Sequence, residues 1–169
     1  IKGTAVTPPS GGPSEPLTAV TNTGLLTCHL PYIADGSTNS HAITVNGDVK
    51  TEPLSPYDYK AYVSSDHGGS VRLDGSGDYL VTNTSSDLAL GTGNWTVEGW
   101  MYTTQANDYQ FLFDCRSSEP QNRPSLYLSN SNGWTNWTAG GTRFDDVGTV
   151  VPNTWHHFAL VKNLSLIHI

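Results

Sequence analysis

Two tryptophans three residues apart, in NSNGWTNWTAGG, are the side chains here whose types best suit recognition chemistry. Trp134 and Trp137 stand in a polar, glycine-rich stretch. Flat aromatic faces on rigid loops stack on sugar rings, while neighbouring amides and hydroxyls bond the sugar's hydroxyl groups. Asn136 lies between the two, and Asp145 and Asp146 follow in RFDDVG, so Trp134, Trp137, Asn136, Asp145 and Asp146 form the candidate ligand-binding set. The same stretch also fits a plain hairpin, with Asn-Gly as its turn and the tryptophans packed across it.

Carboxylates offer a second kind of chemistry. Asp74 and Asp78 flank the glycine-rich turn DGSGD and, with backbone carbonyls, could supply oxygen ligands for calcium. Asp145 and Asp146 are an equivalent pair. Aspartate and glycine are also what a tight turn needs for its backbone angles and side-chain hydrogen bonds, with no ion involved. Hydrolysis of a glycosidic bond requires two nearby carboxylates, one as acid and one as nucleophile or base. Glu98 stands alone on its segment, with Thr96 and Trp100 as same-face neighbours, so it is expected to brace adjoining strands and the chain is expected not to be an enzyme. His156 and His157 are adjacent on an extended segment and face opposite ways, which prevents them from chelating one metal and leaves packing, with one imidazole hydrogen-bonded, as the better reading. No Ser, His, Asp set assembles, and DGSGD lacks the lysine and helix of a phosphate loop.

Charge narrows the partners. The formal balance is −7, and eight scattered Lys and Arg make no basic stripe to displace counterions, which argues against nucleic acid and against anionic membranes. A surface rich in hydroxyl, amide and aromatic groups suits a neutral hydrogen-bonding ligand. No apolar run reaches transmembrane length, no basic-then-apolar leader is present, and the chain does not begin with Met, so a fragment or processed product is expected. Cys28 and Cys115 make no zinc motif by themselves; they read as small buried hydrophobes, and the sequence leaves a disulfide between them open. Asn83, Asn94 and Asn136 begin N-x-S/T sequons that arise readily in so Asn- and Thr-rich a chain.

The elements that must position these groups are strands. Five Trp, eight Tyr and many Val and Thr sit among 17 Gly and 10 Pro, and no segment carries a clean helical stripe. LLTCHL reads as a short apolar strand and HAITVNGDV as a strand running into an Asn-Gly turn. GSVRLDGSGDYLVTNT is a strand, turn, strand unit. NWTVEGWMY is the strongest strand, with Trp95, Val97 and Met101 on one face and Thr96, Glu98, Trp100 and Tyr102 on the other. YQFLFDC, SLYLSN and TWHHFALVK follow as strands. Short strands at this spacing predict an all-β antiparallel sandwich or jelly roll.

GSVRLDGSGDYL, then LALGTGNWTVEGWMY, FLFDCRS and NTWHHFALVK, in that order, resemble the laminin-G-like jelly-roll domains of the concanavalin A-like lectin/glucanase superfamily. The resemblance covers about Gly24 to Asn163 and implies a concanavalin A-like β-sandwich. Gly99 stands where the family often has a large apolar residue, which is expected to leave a packing gap. Residues 1–6, IKGTAV, resemble the last strand of a preceding repeat, and 7–23 read as a Pro/Gly/Ser-rich linker. Residues 24–163 then form a second repeat expected to be C-terminally incomplete, since the family continues with further strands. LSLIHI at 164–169 matches a translated transposon-adapter end and is expected to be sequencing read-through.

What the resemblance implies for function is a non-catalytic recognition or adhesion module, carbohydrate-binding, in a multi-repeat virion or cell-surface protein. Its partners would be a cell-surface glycan or polysaccharide and other repeats of the same chain, with no nucleic acid and no membrane insertion. The resemblance fixes no cofactor and leaves calcium as the candidate ion. The alternatives are a structural spacer repeat of a phage tail fibre and an accessory module of a secreted glycoside hydrolase.

Overall fold

A computed structural model describes residues 17–56, 69–90, 93–105, 108–115, 124–131, 133–138 and 141–162, and at 136–138 and 141–146 the backbone alone. The first repeat strand at 1–6, most of the linker, and 163–169 with its adapter-like end lie outside the described residues. Among the described residues the regular elements are ten strands and a single 3-10 turn at Ser86–Leu88, capped by the Ser85 side chain. Every strand pairing is antiparallel, as the β-branched and aromatic composition predicts. The chain divides into two compact units, Ile1–Ala89 and Leu90–Ile169.

In the first unit β1 (Ile43–Asn46) pairs with β4 (Tyr79–Thr82), and β2 (Lys50–Glu52) pairs with β3 (Ser70–Arg72). The chain thus runs out along β1 and β2 and back along β3 and β4 as one long ladder, broken where residues 47–49 face 73–78. The expected strand at LLTCHL is not formed. Cys28 takes φ 64°, a left-handed conformation that no extended strand accommodates, and the segment is instead folded around Asp35. One Asp35 oxygen accepts the N–H groups of Leu26 (3.0 Å) and Ser37 (2.8 Å); the other accepts the Ser37 hydroxyl and the His41 N–H, both at 2.8 Å. Burial alone would raise this carboxyl's pKa, but the four hydrogen bonds outweigh it and hold the value to about 2.

The second unit joins a ribbon and a sheet. In the ribbon β5 (Trp95–Tyr102) pairs along its whole length with β10 (Trp155–Lys162), from Trp95↔Lys162 to Tyr102↔Trp155. The sheet has the order β6 (Gln110–Asp114), β7 (Ser125–Leu128), β8 (Trp134–Thr138), β9 (Gly141–Val147). Among the described residues Leu126, Leu128 and, just beyond β9, Val150 are the buried apolar side chains, and the Trp134 ring, 5.8 Å from that of Phe158, ties sheet to ribbon. Gly99 leaves no gap: it faces Phe158 across the ladder, and a Cβ there would come within 3.1–3.2 Å of the Phe158 ring. The neighbouring strand's aromatic fills the space that a larger residue at 99 would take.

Candidate functional site

Around the tryptophans the structure forms the hairpin that the sequence also fits, and the loop alternative gives way. Ser129 N–H donates to the Gly133 carbonyl (2.8 Å) to close the β7–β8 hairpin, and Trp134–Thr138 continues as β8. RFDDVG, unassigned from sequence, supplies β9. The reason is pairing: a polar, glycine-rich segment has weak intrinsic strand preference, but between β7 and β9 both of its ladder edges are occupied.

All five candidate ligand residues consequently lie on the β8–β9 hairpin. Trp134 faces Val147, Asn136 faces Phe144 and Trp137 faces Thr142. One residue of β8, Thr135, therefore stands across from two of β9, Asp145 and Asp146, and a second irregularity falls between Asn136 and Trp137. Such bulges bend a strand and re-aim its side chains, and they concentrate at sheet edges, where β9 lies. The two tryptophans have different settings. Trp134 is half-buried with its ring against Phe158, whereas Trp137 is registered with Ser125, and its side chain lies outside the described residues, as do those of Asn136, Asp145 and Asp146.

On the ribbon, Glu98 has histidine for company. His157 Nε2 lies 3.9 Å from a Glu98 oxygen, and the His157 ring meets Trp100 edge-on at 5.1 Å. Among the described residues no carboxylate faces Glu98 across the ladder, where Ala159 is its partner. His156, registered with Met101, has Nε2 3.0 Å from the Val151 carbonyl and 3.2 Å from its N–H, a hydrogen bond in either tautomer. The adjacent histidines do point to opposite sides, each engaged structurally.

The aspartates around DGSGD form a cluster that includes one residue the sequence did not single out. Asp48, Asp74 and Asp78 each offer an oxygen within 4.8 Å of the others, at the break in the long ladder of the first unit. Asp78 spans that break, one oxygen accepting Asp48 N–H (2.7 Å) and the other Asp74 N–H (2.8 Å), while Asp74 accepts Ser76 N–H at 2.7 Å. Gly47, at φ +82°, must lack a side chain because a Cβ would strike the Asp78 carboxylate. Asp48 is exposed and paired with Lys50 at 3.3 Å. The trio is the set able to hold a cation, and its hydrogen bonds already do the work of a turn brace. The Asn-Gly signal in HAITVNGDV marked the turn but not its partner, because the contact depends on pairing thirty residues away. Cys28 and Cys115 are both half-buried thiols, and burial raises the Cys28 pKa against a smaller opposing contact with Thr27.

Neither curated proteins nor solved structures gave a match to the chain. A laminin-G-type family model does match, over residues 74–169, beginning at the DGSGD turn and running through the ribbon and the sheet. More than half of the chain is covered, including DGSGDYL, NWTVEGWMY, FLFDC and NTWHHFALVK, and the antiparallel pairing of the described strands agrees with it. The chain is a β-sandwich protein that belongs to the concanavalin A-like lectin/glucanase superfamily.

Proposed function

We propose that this domain is a non-catalytic recognition module that holds a neutral glycan on the β8–β9 hairpin, as an adhesive part of a virion or cell-surface protein. The observation that carries the reading is the gathering of Trp134, Asn136, Trp137, Asp145 and Asp146 on one doubly irregular hairpin at the edge of a sheet. Glu98, set against His157 instead of a second carboxylate, gives the acid–base pair of a glycosidase no footing on the ribbon. Superfamily membership supplies the fold and leaves the activity to the site.

Trp134, with its ring against Phe158, serves mainly to fix the hairpin; Trp137 is the residue assigned to stacking. Retention of the chain on an array of neutral glycans tests this. Wild type is expected to be retained, Trp137→Ala to lose retention with its melt unchanged, and Trp134→Ala to lose stability. Wild type retained by no glycan leaves the spacer role.

A further inference from the structure

We infer that the β5–β10 ribbon carries a proton-operated clasp: acidification charges His157, which closes on Glu98 and tightens the longest strand pair of the second unit. Pleat alternation puts Trp155, His157 and Ala159 of β10 on one face with Glu98, Trp100 and Tyr102 of β5, turned away from the Phe158 side that meets Trp134. His157 Nε2 is buried on that face and takes part in no hydrogen bond among the described residues. A Glu98 oxygen stands 3.9 Å away, beyond hydrogen-bond reach yet close enough to draw in a charge. The two side chains are 17% and 34% exposed, so water screens the pair less than it screens an ion pair on an open surface. The link runs diagonally, from the His157↔Trp100 rung to the Ala159↔Glu98 rung, a step that long side chains can span. It crosses the Phe158↔Gly99 rung between them, so the clasp closes over the place where Phe158 is held against the Trp134 ring.

Charging the ring removes a mismatch. In a neutral imidazole Nε2 is either a donor or an acceptor, and here it is unmet in both cases. Imidazolium makes it a charged donor, and the Glu98 carboxylate is the acceptor within reach. The gap must shorten by roughly 1 Å to become a charge-assisted bond, and Glu98, one-third exposed, is the partner with room to move. The Trp100 ring, edge-on to His157 at 5.1 Å, holds the imidazole in place. No cation of the two strands competes on this face. Glu98 is its one carboxylate and Tyr102 its other titratable group, while Lys162 and His156 lie on the opposite pleat, where His156 is bonded to Val151. The unfolded chain keeps no such pair, so the contribution of Glu98 to stability is present where His157 is charged and is lost as the pH rises.

The test is a thermal melt of the whole chain followed by tryptophan fluorescence, which reports the second unit because all five Trp lie in it. Glu98→Gln is expected to fall about 3 °C further below wild type at about pH 5.5 than at about pH 8, the size of a partly shielded ion pair. Combined with His157→Gln, the same Glu98→Gln change is expected to shift the melt equally at both pH values. Emission of the folded protein reads the proton itself, since imidazolium quenches a neighbouring indole: on acidification wild type is expected to lose more emission than His157→Gln. If His157→Gln loses its near-ultraviolet circular dichroism, the comparison of wild type with Glu98→Gln, made at a partly exposed side chain, decides by itself. A Glu98→Gln deficit that is equal at both pH values, or larger at the higher one, overturns the clasp. A pH-dependent deficit that persists in the His157→Gln combination overturns the choice of His157 as its sensor.

Discussion

The two units hold themselves together by different means. In the first, Asp35 gathers residues 26–41 and Asp78 ties the broken ladder, each by accepting backbone N–H groups, and no apolar residue of the unit is buried among the described residues. In the second, Leu126, Leu128 and Val150 are buried, and the Trp134 ring packs against Phe158 between sheet and ribbon. Carboxylate nodes can order short, irregular segments that bury little apolar area, but they fail when protonated. An apolar core is indifferent to protons and sensitive to volume. The proposed glycan site lies on the aromatic sheet, a better platform for a ligand than turns held by exposed charges.

The sharpest break should come from the core. Leu128→Ala, at a side chain with no exposed surface, is expected to cost about 3 kcal/mol in urea unfolding, with the same penalty at pH 7 and pH 4. A loss under about 1 kcal/mol would mean that the sheet is not the load-carrying core. Next in size, Asp35→Ala removes the acceptor of four hydrogen bonds and is expected to cost about 2 kcal/mol near neutral pH. Its folded pKa of about 2 lies below the ordinary 3.8, so its contribution is complete above the latter and vanishes as pH falls through the former. Wild type and Asp35→Ala should therefore converge in stability near pH 2, a convergence that Leu128→Ala does not share. His29 acts in the same direction at higher pH, because burial, opposed by Thr27 and Asp35, lowers its pKa and protonation below about 6.5 then favours the unfolded chain.

The smallest effect belongs to the turn brace. Asp78→Ala is expected to cost about 1 kcal/mol, since its two hydrogen bonds lie at an exposed turn, and chelation of divalent cations should leave the wild-type melt within about 1 °C. A calcium-dependent rise in the melting temperature of wild type, absent in Asp74→Asn, would turn the brace into a cation site.

Much of this fold is legible in the residues because it depends on alternation. NWTVEGWMY and TWHHFALVK are strands at their expected positions, and the separation of His156 from His157 follows from a pleat of period two. Where local pattern is weak, the reading failed at one segment: LLTCHL looks apolar enough for a strand, yet Cys28 in a left-handed conformation and the Asp35 hydrogen bonds claim it for a loop. WTNWT fits a loop or a hairpin and RFDDV carries no clear pattern, and pairing makes both strands.

Composition and motif order alone therefore determined the all-β class, the family and the residue types available for recognition, because those depend on which side chains are present and how they alternate. Only the tertiary structure decided which residues meet. Asp48 joins Asp74 and Asp78, Phe158 fills the space beside Gly99, Trp134 turns to the core, and Tyr109 and Phe111 stand outside it. Each of these follows from strand register, and register is set by long-range pairing that no local stretch of sequence encodes.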